Sequence, residues 1–333
     1  MNLPQSKSAR FLIFASFLLS LVAVGWASKT AKDHWFPSAA APSPFPEPKF
    51  DETYAFGQIL KYESFGAKVP GTTPHTQAGN WIVDELKQMG LTVMEQKSEA
   101  TTFDQKVIPV RNIIAQWNPK AKIRYLLSAH WDNRPFADQD PLAKDKPVPG
   151  VNDGGSGVVI LLGIAKALPQ GENPFGVDFA FWDAEDWGTP HQADSYCLGA
   201  QYWAAHPVPE NYSAKYGINY DMVGRSGSVF PIESYSNRVA KPVVDGLRVA
   251  AKKLGYQDFF PDQVIGPITD DHYFVSEKTK IPFVDLIFMT PDGEFPPEWH
   301  TLHDTSEFIS RDVLKVVGQT TLEWIWSDAH STN

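Results

Sequence analysis

The residues of this chain best equipped for chemistry are carboxylates and imidazoles that stand where short apolar runs end. RYLLSAH runs out at His130 and leads into Asp132, FAFWDAED ends in Asp183, Glu185 and Asp186, and INYD ends in Asp221. VNDGGSG sets Asp153 just ahead of an apolar stretch, and PFVDLIFM is followed by a loop that carries His300 and His303. Oxygen and imidazole donors with no thiolate among them describe a catalytic zinc site, in which three protein ligands hold the ion and one position stays open. The neighbours Glu185 and Asp186 suit two jobs, because successive side chains point differently: one carboxylate can bind metal while the other faces a substrate as a base. Taken singly, each residue has a plainer reading. Asp153 would cap the helix that follows it, Glu185 and Asp186 would be an acidic loop, and each histidine would be an ordinary hydrogen-bonded one. The joint pattern carries the metal reading.

Such residues act together only if the fold brings the run ends to one edge. The predicted strands are Leu91 to Glu95, Val107 to Gln116, Arg124 to His130, Val177 to Trp182, Gly217 to Val223 and Ile281 to Met289. Helical spacing marks the segment after Phe50, then Pro74 to Met89, with Thr73 as N-cap and Gly90 as stop. Further helices are predicted over Gly157 to Leu168, Leu198 to Ala205, Val239 to Leu254, Asp271 to Glu277 and Ser310 to Ser327. Strands rich in Val, Ile, Leu and Phe that alternate with helices imply an α/β fold: a single globular domain with a central mixed, mostly parallel β-sheet flanked by helices on both faces. In such a sheet ligands bind beyond the carboxyl ends of the strands, where these polar residues fall.

Composition agrees. With 43% apolar and 20% charged residues the chain can bury a large core. A net charge of -10, from 29 basic against 39 acidic residues, argues against a nucleic-acid-coating protein. The single cysteine, Cys197, excludes an internal disulfide, and with no basic environment around it reads as a small buried hydrophobe. Lys7 and Arg10 precede an uncharged run from Phe11 to Ala27, so residues 1–27 are read as a signal peptide or N-terminal anchor and the chain as exported, periplasmic or secreted. Contact with a membrane is expected only through that segment, if it is not cleaved. The proline-rich stretch 28–49 reads as a linker and 50–333 as the catalytic domain. The charged loop 133–150 reads as a solvated rim in which Asp138 and Asp140 offer calcium ligands. Asn211-Tyr212-Ser213 has the glycosylation pattern, and His75 is placed in a first helical turn with no role.

HWDNRP (130–135), GVNDGGSGV (150–158), FWDAEDWG (181–188), YDMVG (220–224) and EWHT (298–301) occur in the order, and near the spacing, of the zinc aminopeptidase-like metallopeptidases, which the chain resembles from Pro70 to its last helix. Within that family TDDHYF (269–274) and PEWH (297–300) look like the glutaminyl-peptide cyclotransferases, or glutaminyl cyclases. The resemblance implies a Zn²⁺ held by Asp153, Asp186 and His300, with Glu185 as general acid/base. It also implies Asp221 and Asp270 as a carboxylate network beside the base, and Trp299 and Trp187 as pocket walls. Two residues depart from the mammalian pattern: Asp186 replaces a glutamate, and Asp285 stands where histidine is usual.

The activity so implied converts N-terminal glutamine of peptides or proteins to pyroglutamate and releases ammonia. The attack is intramolecular, so no water is activated and one ion suffices. The alternative is a zinc aminopeptidase with two ions, because His130, Asp153 and Asp221 match the positions that hold a second metal there. Trp299 and the run Asp270-Asp271-His272 favour cyclisation. A non-catalytic binding domain on the same fold is the third reading; it predicts lost ligands, and all are present.

Overall fold

In a computed structural model that describes residues 47–171, 173–190, 192–290 and 293–331, the apolar runs form the expected strands. They are β1 (Thr92–Thr101), β2 (Val107–Trp117), β3 (Ile123–His130), β4 (Phe175–Trp182), β5 (Tyr216–Asp221) and β8 (Phe283–Ile287). Their order in the sheet is β1-β2-β4-β3-β5-β8. β4, β3, β5 and β8 run parallel, while β1 and β2 pair antiparallel at one side. Two short strands, β6 (Ile232–Glu233) and β7 (Val264–Ile265), pair separately. Parallel strands need covered faces, and β3, β4 and β8 are buried almost throughout.

The helices are α1 (Glu52–Glu63), α2 (Thr73–Gln88), α3 (Gly155–Ala167), α4 (Leu198–Ala205), α5 (Ser234–Val239), α6 (Lys241–Leu254), α7 (Asp271–Thr279) and α8 (Arg311–Ser331). Strand periodicity divides the core in two. Ile113, Tyr125, Leu127, Phe179 and Phe181 face a cluster with α1, α3 and α8, whereas Ile114, Leu126, Ala180 and Trp182 face Trp203 and Ala200 of α4 and Val275 of α7. The single-domain α/β reading is met: the described residues fall in one compact unit.

Local differences from the sequence reading have local causes. Thr72, not Thr73, caps α2, its hydroxyl accepting from the His75 amide while Pro74 sits in the first turn. The helix expected from Val239 breaks at Ala240, and Pro242 opens a new one. β1 runs on to Thr101 because it pairs along its whole length with β2. The proposed export segment 1–27 and all of the linker but Glu47, Pro48 and Lys49 lie outside the described residues. Among the described residues no helix is long and apolar enough to cross a membrane.

Candidate active site

Four parallel strands deliver their carboxyl ends to one edge. His130 is the last residue of β3 and Asp221 the last of β5, and Glu185 and Asp186 follow β4 in the turn after Trp182. Asp153 precedes α3 and Asp270 caps α7. Asp153 is not the cap of α3: Gly154 holds that position and no side chain bonds there. The carboxylate of Asp153 is thereby free for the site. Its Oδ1 lies 3.0 Å from His130 Nε2 and its Oδ2 3.7 Å from His300 Nε2, so one oxygen faces each imidazole.

Two donor sets share Asp153. Asp153, Asp186 and His300 offer ligand atoms within 4.8 Å of one another, and so do His130, Asp153 and Asp221. A tetrahedral zinc with donors at about 2.0–2.2 Å spaces them roughly 3.3–3.6 Å apart. The Asp186 Oδ1 to His300 Nε2 distance is 3.3 Å, and Asp221 Oδ1 stands 3.4 Å from His130 Nε2. Neither ring nitrogen of His130 nor Asp221 Oδ1 has a hydrogen-bond partner although all are buried, as suits atoms that donate to an ion. The residues present therefore fit a zinc ion.

The turn after β4 is held from behind. Asp132 accepts from the amides of Glu185 and Asp186 at 3.0 and 3.3 Å, and its Oδ1 lies 3.6 Å from His130 Nδ1. Asp304 accepts from the amides of Asn152 and Asp153 at 2.7 and 3.0 Å. Ala184, Met222 and His300 have φ of +54°, +51° and +54°. Left-handed backbone in non-glycine residues costs of the order of 1 kcal/mol each and persists where surrounding bonds over-determine it. At Ala184, backbone bonds from Cys197 to the Glu185 carbonyl and from Leu198 to the Ala184 carbonyl do so.

Glu185 sits among acids. Burial, then the charges of Asp186, Asp270 and Asp271, push its carboxyl well above the usual range, with His130 opposing. The Cys197 thiol donates to Glu185 Oε1 at 3.2 Å, a contact the sequence reading missed because it placed Cys197 only as a buried hydrophobe. Burial and the neighbouring charge of Asp270 also raise Asp221. Asn219 donates to Asp270 Oδ2 at 2.9 Å and to Asp285 Oδ1 at 3.4 Å, and His272 Nδ1 lies 3.8 Å from Asp285 Oδ2.

A cavity of ≈ 610 Å³ opens over these groups, walled by Tyr196, Ile265, Ile268, Met289, Phe295 and Trp299. Trp299 stacks on His300 with ring centres 3.6 Å apart and on Phe295 at 4.3 Å. Trp187 does not line this cavity: it packs with Ile108, Val110 and Ala184, and Lys106 lies over its ring. Its neighbour Asp186 takes the site side of the turn, which leaves Tyr196 and Phe295 as the further aromatic walls. The loop 133–150 is buried at Asn133, Arg134 and Asp140 and exposed at residues 141–142 and 144–147, and none of it lines the cavity. Asp140 accepts from the amides of Leu142, Ala143 and Leu302 and so ties the loop to the His300 segment. His75, in the first turn of α2, sets Nε2 2.9 Å from Asp183 Oδ1 and stacks on Trp131.

Comparison with known proteins agrees with this geometry. Residues 112–325 match the model of peptidase family M28. A glutaminyl cyclase of Bacteroides thetaiotaomicron, solved bound to N-acetylhistamine, is similar at 40% identity and a TM-score of 0.82, covering 84% of this chain and 99% of that one. A Zn-dependent exopeptidase of Parabacteroides distasonis is similar at 40% identity and a TM-score of 0.81, over 84% of this chain and 99% of that one. An aminopeptidase of Bacillus subtilis shares 28% identity over 276 residues, 78% of this chain. The chain spans about half the length of that curated relative, 54% of it.

Proposed function

The chain belongs to peptidase family M28, and from that premise we propose that it is a zinc-dependent glutaminyl-peptide cyclotransferase, converting N-terminal glutamine of peptides or proteins to pyroglutamate with release of ammonia. The observation that carries the choice within the family is the aromatic wall. Trp299, stacked on His300, closes the cavity beside the donor cluster in a chain whose similarity to a glutaminyl cyclase spans nearly all of that enzyme.

In this reading Asp153, Asp186 and His300 hold one Zn²⁺. When bound, the ion acts as a Lewis acid toward the side-chain carbonyl of the substrate glutamine. Glu185 takes a proton from the substrate α-amine as that nitrogen attacks the side-chain amide carbon. It then gives the proton to the departing nitrogen, so the ring closes as the old C–N bond breaks and ammonia leaves. Its raised pKa suits both halves of that task, because a group that must accept and then donate works best near the working pH. Asp221 and Asp270 form the network at its side. Trp299, Phe295 and Ile268 keep the short side chain oriented and water away from it.

A two-ion aminopeptidase is the second reading, favoured by the spacing of His130, Asp153 and Asp221 and by the exopeptidase neighbour. One paired assay separates them. The purified chain is expected to release ammonia from Gln-initiated peptides, to leave Leu-initiated chromogenic substrates intact and to carry about one zinc. The opposite selectivity overturns the cyclase.

A further inference from the structure

Arg134 and Asp138 have no part in the chemistry proposed above, yet they touch two of the three donors. The Arg134 side chain is 1% exposed. Its Nη1 donates to the Asp186 carbonyl at 3.0 Å and to Asp186 Oδ1 at 3.1 Å. Its Nε and Nη2 donate to the two oxygens of Asp138 at 2.8 and 3.1 Å. Asp138 Oδ1 lies in turn 3.3 Å from His300 Nδ1. The guanidinium rests on the Phe136 ring, 4.4 Å from its centre. A buried arginine is tolerated only where its donors are matched, and its planar fork reads carboxylates two bonds at a time.

We propose that Arg134 and Asp138 are positioning residues for the metal centre, a clamp behind the ligands that fixes the side chain of Asp186 and the ring of His300. The Asp138 carboxylate, 3.3 Å from Nδ1 without a hydrogen bond of ordinary geometry, favours a proton on that nitrogen through its charge, which leaves the Nε2 lone pair facing Asp153 and Asp186. Arg134 orders Asp186 by gripping both its carbonyl and its carboxylate, and its charge draws electron density from that ligand. The four-residue spacing of the pair lets one loop turn organise both contacts, with the arginine buried and the aspartate half-buried. The clamp rests on the zinc reading above.

The test is zinc affinity, measured on the full chain by competition with a chromophoric chelator, alongside melting curves of the metal-free forms. Asp138→Ala and Arg134→Met are expected to weaken zinc binding about 10–100-fold. Arg134→Lys, which keeps the charge and loses the fork, should fall between them and the parent chain. The absorption spectrum of the cobalt-substituted chain should also change in the two severe variants, because ligand geometry has moved. Zinc affinities within about twofold of the parent overturn the clamp. So does lowered metal-free stability with unchanged affinity, since that marks a purely structural pair. A parent chain that binds zinc and fails to cyclise glutamine sinks the functional reading and leaves the clamp standing.

Discussion

Two carboxylates that adjoin in sequence, Glu185 and Asp186, have opposite environments. Burial works against ionisation in both. The His300 and Arg134 charges nonetheless hold Asp186 below its ordinary range, whereas Glu185 has mostly anions around it and is raised. An ionised ligand next to a protonatable base is the division the proposed chemistry needs. Glu185→Gln keeps shape and burial but cannot take a proton. It is expected to fold, to load zinc and to lose about 10²–10⁴-fold in kcat, and a variant retaining most of its rate would remove Glu185 from the mechanism. In the chelator-stripped chain the Glu185 carboxyl should titrate above the ordinary glutamate value of about 4.3, read by carbon-13 NMR of the labelled side chain against the Glu185→Gln spectrum. A value at or below that would contradict the crowding of acids around it.

At the scale of elements, the site depends on α3 starting in contact with β3. A Cβ on Gly154 would lie 2.4 Å from the His130 carbonyl oxygen and 2.6 Å from its Nε2, with the imidazole buried and unable to yield. Gly154→Ala is expected to cost about 1–3 kcal/mol in chemical denaturation and to weaken zinc binding. Gly57, exposed in α1 with nothing within 4 Å, gives the contrast. Gly57→Ala should stabilise by about 0.8–1 kcal/mol. The long strands were legible because apolar runs and their polar ends are written contiguously, and the ends supplied His130, Glu185, Asp186 and Asp221. What stayed hidden is whatever depends on chain far away: Asp304 reaches the Asp153 amide across 151 residues, and Cys197 finds Glu185 only once α4 has packed. α5, β6 and β7 are too short to establish a period. Trp187 and Trp299 look alike in sequence and are told apart only by which side of a turn faces the cavity.

For the whole molecule, burying so many acids at one sheet edge makes stability depend on the ion. Asp153 is pushed up to about 6, by burial first and then by the charge of Asp186. Glu185, Asp221, Asp271 and Asp285 move in the same direction, burial leading in each. Such groups hold protons in the folded chain that the unfolded chain has already lost, so they stabilise the fold at low pH and that contribution disappears as pH rises from about 4 through the folded values. The acids held low, among them Asp138, Asp186 and Glu233, exchange stability with pH only below about 4.3 and leave the higher window unchanged. Zinc acts the other way, since it takes ionised ligands and its affinity grows as protons leave them. At a free concentration of 1,000 times Kd it adds about 4 kcal/mol. The difference in melting temperature between zinc-loaded and chelator-stripped chain should therefore widen between about pH 5 and 7. Taking the difference cancels the surface carboxylates, which titrate alike in both forms. A gap that stays constant or narrows over that range would mean that these acids do not form the metal centre.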